Sequence, residues 1–522
     1  MTNFTVLLLC LPLVAASAGW AADRIGVPLP VLLVTAGALL GLLPWIHTPE
    51  LSPELVFFVF LPPLVYYAAY LIAPEDLRAN AWPIGTLAVG LVLVSMAAVA
   101  AVMAGVTGVP LAVAAVTGAV VASTDSVAPT SVFEALSVPE RLVTIVEAEG
   151  MINDGTSLVL YTGAVGVAVA GIMHPRDLAV TLIAGPVGGA VLGLAIAWML
   201  VWVRRRIDQP LVEITLSLAT PYLSYVLAEA AGLSGVLATV TAGVYVGSRT
   251  SSIYAPGARL QAFAFVEVLV FLLNAVLFTL VGMQLVRVVH PVPGMSAGRV
   301  VAVIAAVVTV LVALRMIWTL FGPAVAGLRG RTEQFGAWRE GVIIGWAGVR
   351  GGVSLAAAMA VPLQRADGSP FPDRELVIAV TAGTIVVTLM LQGMSLPRLL
   401  RRLGIAREDT HEQEQLARRE AVRAALARLD DHAAANGADG AIEALRARYS
   451  ARARRLEGGD EDQLGQVPGE AHQPEYLALR LELLEAERSA VLGLWQQGRI
   501  TAAVYRGIER GLDLEEARLR GS

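Results

Sequence analysis

The chain has 522 residues, of which 56% are hydrophobic and only 16% charged, and its mean hydropathy is +0.67; this balance excludes an ordinary soluble globular protein and indicates a polytopic membrane protein. The formal net charge of -5 argues against a nucleic-acid partner. Cys10 is the only cysteine, which excludes an intramolecular disulfide and any metal site built from cysteines.

All 38 basic residues are arginines, as expected of a GC-rich genome and not of a binding requirement. The first segment, MTNFTVLLLCLPLVAASAGWAADR, has the apolar core and small residues of a signal peptide. It has no positive charge ahead of that core, however, its first basic residue being Arg24, so it reads as a retained span that starts outside.

Apolar windows bounded by charge or by Pro and Gly predict spans at 4–21, 29–46, 53–72, 82–106, 109–136, 141–171, 178–203, 210–231, 233–249, 260–287, 299–321, 338–362 and 375–397. That makes about thirteen crossings. From about Arg401 the charge becomes too dense for any window to span, as in REDTHEQEQLARREAVRAALARLDD. Two domains are therefore expected, a transmembrane domain at 1–403 and a helical cytoplasmic tail at 404–522. Within the tail, 405–456 and 471–520 carry leucine or alanine at helical spacing and are separated by the linker EGGDEDQLGQVPGE. Packing or support of a dimer is the tail's expected role, since His411, His432 and His472 are isolated and mark no regulatory site.

Arginine placement tests the span count. Loops after odd-numbered spans hold fourteen arginines, from Arg24 to Arg402, whereas loops after even-numbered spans hold five: Arg176, Arg287, Arg299, Arg365 and Arg374. The positive-inside rule then places the N-terminus outside and the tail in the cytoplasm. A missed or invented span would invert the bias downstream, so its persistence supports an odd number.

Two spans are poor as continuous helices. The fifth carries VVASTDSVAPTSVFEAL, with Thr124, Asp125, Ser126 and Pro129 near its middle; the twelfth carries GWAGVRGGVSLAAAMAVP, with four glycines around Arg350. Such interruptions are tolerated at membrane depth only where protein or a water-filled cavity satisfies the freed backbone groups. The two spans lie seven apart in order, which gives them opposite orientations. That is the arrangement expected of two inverted repeats with two broken crossing helices, the architecture of a secondary transporter.

Ionisable residues inside spans carry the functional reading. Glu134, Glu213 and Glu267 lie near span ends and read as solvated or interfacial charges; Arg315 is deeper and fits either snorkelling or a structural ion pair. The sixth span contains EAEGMINDG, in which Glu149 and Asn153 stack at i and i+4 and Asp154 stacks above Gly150. Among the other charges in the spans, Arg350 is clearly deep enough to pair, and one guanidinium cannot offset Glu149, Asp154 and Asp125 together. One carboxylate left without a fixed countercharge must hold a proton or a cation, which is the minimal machinery of cation/proton antiport. Freed carbonyls near Thr124 to Ser126 add oxygen ligands that suit Na⁺ or Li⁺.

The stretch EGMINDG resembles the E-S-x-x-N-D motif of the monovalent cation:proton antiporters, in the sodium/proton exchanger branch marked by Asn-Asp. STDSVAPTSVFEALSVPERL is similar to that family's T-D-P-V-A segment and the P-E-R-L after it, and AEAAGLSGVLATVTAGVYVG, FVEVLVFLLNAVLFTLVGMQL and WAGVRGGVSLAAAM match later spans in order. The resemblance covers roughly residues 10–400. It implies an antiporter that binds cation and proton in turn at Asp154, with Asn153 in place of a second aspartate and exchange therefore electroneutral. It implies further that Glu149 pairs with Arg350 beside the ion, and that Thr124 and Asp125 sit at the crossing of the broken helices. An elevator-like core around spans 82–171 and 299–397, dimerisation helices elsewhere, a homodimer in the cell membrane, no cofactor and a part in pH homeostasis are likewise implied.

Two departures stand out: Gly150 replaces the motif's serine and Ser126 the proline of T-D-P. A hydroxyl beneath Asp154 is thereby lost, and the Ser126 hydroxyl or a water must replace it. The alternatives are a K⁺/H⁺ antiporter and, in another class, a cation channel or membrane sensor. A hydrolase is disfavoured because no span pairs a nucleophile with a spaced base.

Overall fold

The computed structural model describes residues 3–521 apart from 44–55, 137, 171–182, 208, 250–255, 289–291, 293, 328–337, 406–409, 438–439, 459–473 and 498. Most of the linker EGGDEDQLGQVPGE, His472 and the loop residues Arg176, Arg329 and Arg331 lie outside that set. The chain divides into two compact units, one of Met1–Ile207, Thr215–Ile253 and Val266–Ile405, the other of Asp208–Ile214, Tyr254–Phe265 and Ala406–Ser522.

Each of the thirteen apolar windows is occupied by a helix or by a broken pair of helices. In chain order these are α1 (Asn3–Ile25), α2 (Leu29–Gly41), α3 (Val56–Leu71), the short α4 (Pro74–Ala79) that precedes the fourth span, α5 (Ala81–Thr107), α6 (Leu111–Ala122), α7 (Val127–Ala135) and α8 (Glu140–Ala170). They continue as α9 (Gly185–Arg204), α10 (Pro210–Ala230), α11 (Gly235–Gly247), α12 (Pro256–Val288), α13 (Ala297–Gly327), α14 (Trp338–Trp346), α15 (Gly352–Met359) and α16 (Arg374–Leu403). Among the described residues, seven of these segments are long and apolar enough to cross a membrane by length and composition alone. The fold is that of an all-helical, multi-pass membrane protein.

Local chemistry sets the boundaries. Gly108 ends α5 in the left-handed conformation, φ 78°, while its amide still bonds the Ala104 carbonyl at 3.0 Å, and Pro110 then starts α6. At the start of α11, the Ser234 hydroxyl accepts from the Leu237 amide at 3.3 Å and the Glu229 carboxylate accepts from the Gly235 amide at 3.0 Å. Small residues let helices approach where no hydrophobic effect drives them together. α9 packs on α11 so closely that a Cβ at Gly193 would lie 2.0 Å from the Ala238 carbonyl oxygen.

The two broken spans break where the sequence placed their interruptions. α6 and α7 are separated by Ser123 to Ser126, and α14 and α15 by Ala347 to Gly351. The interruptions cross: the Asp125 amide donates to the Val349 carbonyl at 2.8 Å.

Besides the first turns of α10 and α12, the described residues of the second unit form α17 (Thr410–Asn436), α18 (Gly440–Gly458), α19 (Pro474–Gln496) and α20 (Ala502–Gly521). Leu429, Leu445, Tyr449 and Leu483 form its core. Inside it Glu487 is buried and accepts from Tyr449, from Arg452 at 2.9 Å and from Arg480 at 3.3 Å. Arg480 also pairs with Glu515, so buried charge ties α18, α19 and α20 together.

Two outcomes follow. Gly193→Leu must separate α9 from α11 or fail to fold, seen as early aggregation in a thermal melt of the detergent-solubilised protein. Glu487→Ala removes the buried carboxylate that Arg452, Arg480 and Tyr449 share, a loss of about 3–5 kcal/mol; limited proteolysis of the full chain will then cut within 410–521 at protease levels the parent resists.

Candidate ion-binding site at the helix crossing

Asp154 lies at the middle of α8, a helix of 31 residues. Around it are collected the interrupted stretches of the fifth and twelfth spans. Ser123 and Asp125 both stand within electrostatic reach of the Asp154 side chain. No arginine pairs with Asp154 among the described residues.

The half-helix ends are matched by charges of the right sign. Arg350 donates through Nη1 to the carbonyls of Ala122 and Ser123, at 2.9 and 2.8 Å, and so neutralises the negative end of α6. Asp125 accepts from the Val127 amide at 3.2 Å through Oδ1, which complements the positive end of α7. Its Oδ2 is buried with no protein partner. Two glycines make room for these charges. A Cβ at Gly351 would lie 2.5 Å from the Asp125 Cβ, and one at Gly348 would lie 2.5 Å from the Arg315 Cδ. Glycine in the twelfth span therefore does more than interrupt a helix; it lets side chains from other helices pass close to the backbone.

Glu149 is paired differently from the expectation. Its partner is Arg315 on α13, which donates through Nη1 to Oε1 and through Nη2 to Oε2 at 2.7 Å. Arg315 Nε donates to the Ile344 carbonyl at 3.0 Å. The pair is bidentate, and its side chains are only 3% and 1% exposed. Arg350 lies within electrostatic reach of both members but spends its hydrogen bonds on carbonyls. The reason is geometric: a planar guanidinium on a continuous helix can face a carboxylate edge-on, whereas Arg350, inside the interruption, lies beside freed carbonyls with few other donors. Snorkelling is thereby excluded for Arg315. Glu213, expected to be solvated, is buried at 3% exposure, whereas Glu134 and Glu267 are exposed.

Asn153 and Thr124 hold each other. The Asn153 amide donates to the Thr124 hydroxyl at 2.5 Å, the Thr124 amide donates to Asn153 Oδ1 at 3.4 Å, and the Thr124 hydroxyl reaches Glu149 Oε1 at 3.4 Å. Asn153 is fully buried and fixed in one role as donor and acceptor. Ser126 lies against Gly150: a Cβ at Gly150 would be 3.0 Å from both Cβ and Oγ of Ser126. The side chain missing at 150 is thus replaced in space by the one at 126. Asp154, Asn153, Glu149, Thr124, Asp125, Ser126 and Arg350 all gather at or beside the crossing. Sequence reasoning left Arg315, Ser123, Ser354 and Thr388 out of the site. A signal existed for Arg315, a charge deep in an apolar helix with no acid of its own; none existed for the hydroxyls, because serine and threonine are ordinary in membrane helices.

A multi-pass helical protein with charged half-helix ends facing one another around an unpaired carboxylate is of the transporter class, not an enzyme. Residues 12–402 match the family described as sodium/hydrogen exchanger, transmembrane, and the chain belongs to that family. It is 34% identical over 500 residues to an uncharacterized Na⁺/H⁺ exchanger of Mycobacterium tuberculosis, covering 94% of this chain and 91% of that protein. It is 31% identical to the Na⁺/H⁺ antiporter ApNhaP of Aphanothece halophytica, over 77% of this chain and 75% of the relative. Its fold is similar to that of the sodium proton antiporter MjNhaP1 from Methanocaldococcus jannaschii, with a TM-score of 0.61 at 19% identity over 77% of this chain and 99% of the other. Exchangers of this family need no cofactor; the ions they move are their substrates.

The pairing is checked by a double-mutant cycle on purified protein. Arg315→Gln alone leaves a buried carboxylate unpaired and is expected to cost about 3–5 kcal/mol. Adding Glu149→Gln should recover most of that loss in thermal stability, while adding it to Arg350→Gln should recover little.

Proposed function

We propose that the protein exchanges Na⁺, or Li⁺, for H⁺ one for one, with Asp154 binding the cation and the proton in turn. The observation that carries this reading is the distribution of positive charge at the crossing. Arg315 is committed to Glu149 and Arg350 to the carbonyls of Ala122 and Ser123, so no guanidinium is left for Asp154. A bare carboxylate at that depth is costly, and a proton or a small cation removes the cost equally well. Competition for one group is enough to couple the two fluxes.

Asn153 supports the stoichiometry. It is locked to Thr124 and carries no charge, so one carboxylate titrates where a neighbouring pair would give two. The ion's shell would come from the Asp154 carboxylate, a backbone oxygen at Thr124 and the Ser126 hydroxyl, all hard oxygen donors of the kind alkali cations take. Asp125 balances the α7 end at the edge of that shell.

On this reading, a core containing spans 82–171 and 299–397 carries the site, and the remaining membrane helices support a homodimer. The core moves as an elevator. The chain lies in the cell membrane with its N-terminus outside, and the tail at 404–522 is cytoplasmic, as the arginine bias supports.

Na⁺-driven dissipation of a pH gradient in everted vesicles tests the shared carboxylate: Asp154→Asn should abolish it, and retained Na⁺-dependent proton movement would show the mechanism to be wrong. The same assay with and without an imposed membrane potential should give equal rates; a strong dependence on potential would rule out one-for-one exchange. Ser126→Ala should raise the apparent KM for Na⁺ roughly three- to tenfold, the value of one hydroxyl ligand, with little change in maximal rate.

A further inference from the structure

Three separate apolar clusters border the crossing. The first includes Val349, whose carbonyl takes the Asp125 amide, together with Val34 of α2 and Leu355 of α15. The second includes Ala347 and Met151, and the third includes Ala122, whose carbonyl takes Arg350. Among the described residues, Phe57 of α3 is the one apolar side chain that packs against all three. Its helix packs on both α8 and α15, so the ring lies where the clusters meet beside the site.

The residues of α8 just beyond Asp154 are covered. Leu158, one turn on and on the same face, packs against the second and third clusters, and a Cβ at Gly155 would lie 3.4 Å from side-chain atoms of both Val236 and Leu237 on α11. In the fifth span every residue from Val116 to Thr124 is buried. The other direction differs. Asp125, Ser126 and Asp154 keep partial exposure at the crossing, and along α7 the face of Val127, Ser131 and Glu134 passes from partly exposed to exposed. With the orientation proposed above, the site is shut towards the outside and accessible from the cytoplasm. Phe57 stands on the shut side, in the first turn of α3. That turn is held from behind by α10: Tyr222 donates to the Val59 carbonyl at 3.2 Å, and Phe58 meets Tyr225 edge-on with ring centroids 5.6 Å apart. Neither α3 nor α10 belongs to the core proposed to move.

We propose that Phe57 is the external gate of the site, an apolar ring fixed on α3 against which α8 and α15 close, and which the core must leave before Asp154 can face outside. This gate presupposes that Asp154 serves each face in turn, as proposed above. An aromatic ring in a narrow apolar passage excludes water and hydrated ions without adding a charge that would trap them. Its contacts with the core exist while the outer side is closed and are lost when that side opens. The ring therefore favours the closed arrangement, and truncating it shifts the balance towards the open one.

Cys10 is the only cysteine, so in a Cys10→Ser chain each introduced thiol stands alone. Leu158→Cys reports the outer side and Ser131→Cys the cytoplasmic side, read as rates of labelling by a membrane-impermeant maleimide in right-side-out and everted vesicles respectively. With Phe57→Ala the rate at 158 is expected to rise at least about tenfold, since the ring's contacts are lost from one state only, while the rate at 131 stays the same or falls. Phe57→Leu should keep both rates within about twofold of the parent. Phe57→Val should raise the rate at 158 by less than alanine does, and carries the test if the alanine variant does not reach the membrane. An unchanged rate at 158, or a rise at both positions as general loosening would give, would overturn the gate. So would a parent chain in which 158 labels from outside as fast as 131 does from the cytoplasm. Labelling needs no transport, so Na⁺-driven exchange by Asp154→Asn keeps the two readings apart. If exchange is retained while Phe57→Ala still opens 158, the shared carboxylate is wrong and the gate stands; if exchange is lost while 158 stays closed, the gate is wrong and the shared carboxylate stands.

Discussion

Backbone groups at membrane depth have no water to bond, and the site grows from that single constraint. Two spans give up helical hydrogen bonds between Ser123 and Ser126 and between Ala347 and Gly351. One of the freed groups on each side finds the other, Asp125 N to Val349 O, and the remaining mismatch is met by charge: Arg350 at the end of α6 and Asp125 at the start of α7. Once both are committed, neither is free to act as a simple countercharge. The crossing leaves Asp154 on the continuous helix α8 beside oxygens and without a cation of its own.

The buried Glu149–Arg315 pair is the structural counterpart of that opening. A buried ion pair adds little net stability, but breaking it is costly, so its value lies in holding one arrangement. By tying α8 to α13 and, through Ile344, to the approach to the second interruption, it fixes where Asp154 stands relative to both broken helices. Asn153 and Thr124 extend the same lattice by hydrogen bonds alone. On the proposed reading such a rigid polar frame around Asp154 suits an exchanger, because each ion would find the same ligands after the other has left.

Gly150 and Ser126 show how a motif can change without emptying its site. The glycine on α8 lets the Ser126 side chain, in the facing interruption, come within 3.0 Å of where a Cβ at 150 would lie. Membership of the sodium/hydrogen exchanger family sets the channel and sensor readings aside, and polarity concentrated at the crossing instead of along a pore agrees with that.

Several features were determined by the sequence alone. Hydropathy set the spans, because about 20 apolar residues are needed to cross a bilayer whatever the fold. Proline and glycine clusters located both interruptions, because backbone conformation is a local property. The carboxylates of EAEGMINDG could be sorted in part, since helical spacing alone stacks Glu149 with Asn153 and Asp154 with Gly150. Which arginine answers Glu149 was decided only by tertiary structure: residues 149, 315 and 350 are far apart in the chain, and depth in a span says nothing about which way a helix turns. The meeting of three apolar clusters at Phe57 was equally invisible, because which side chains touch across helices depends on packing and not on spacing.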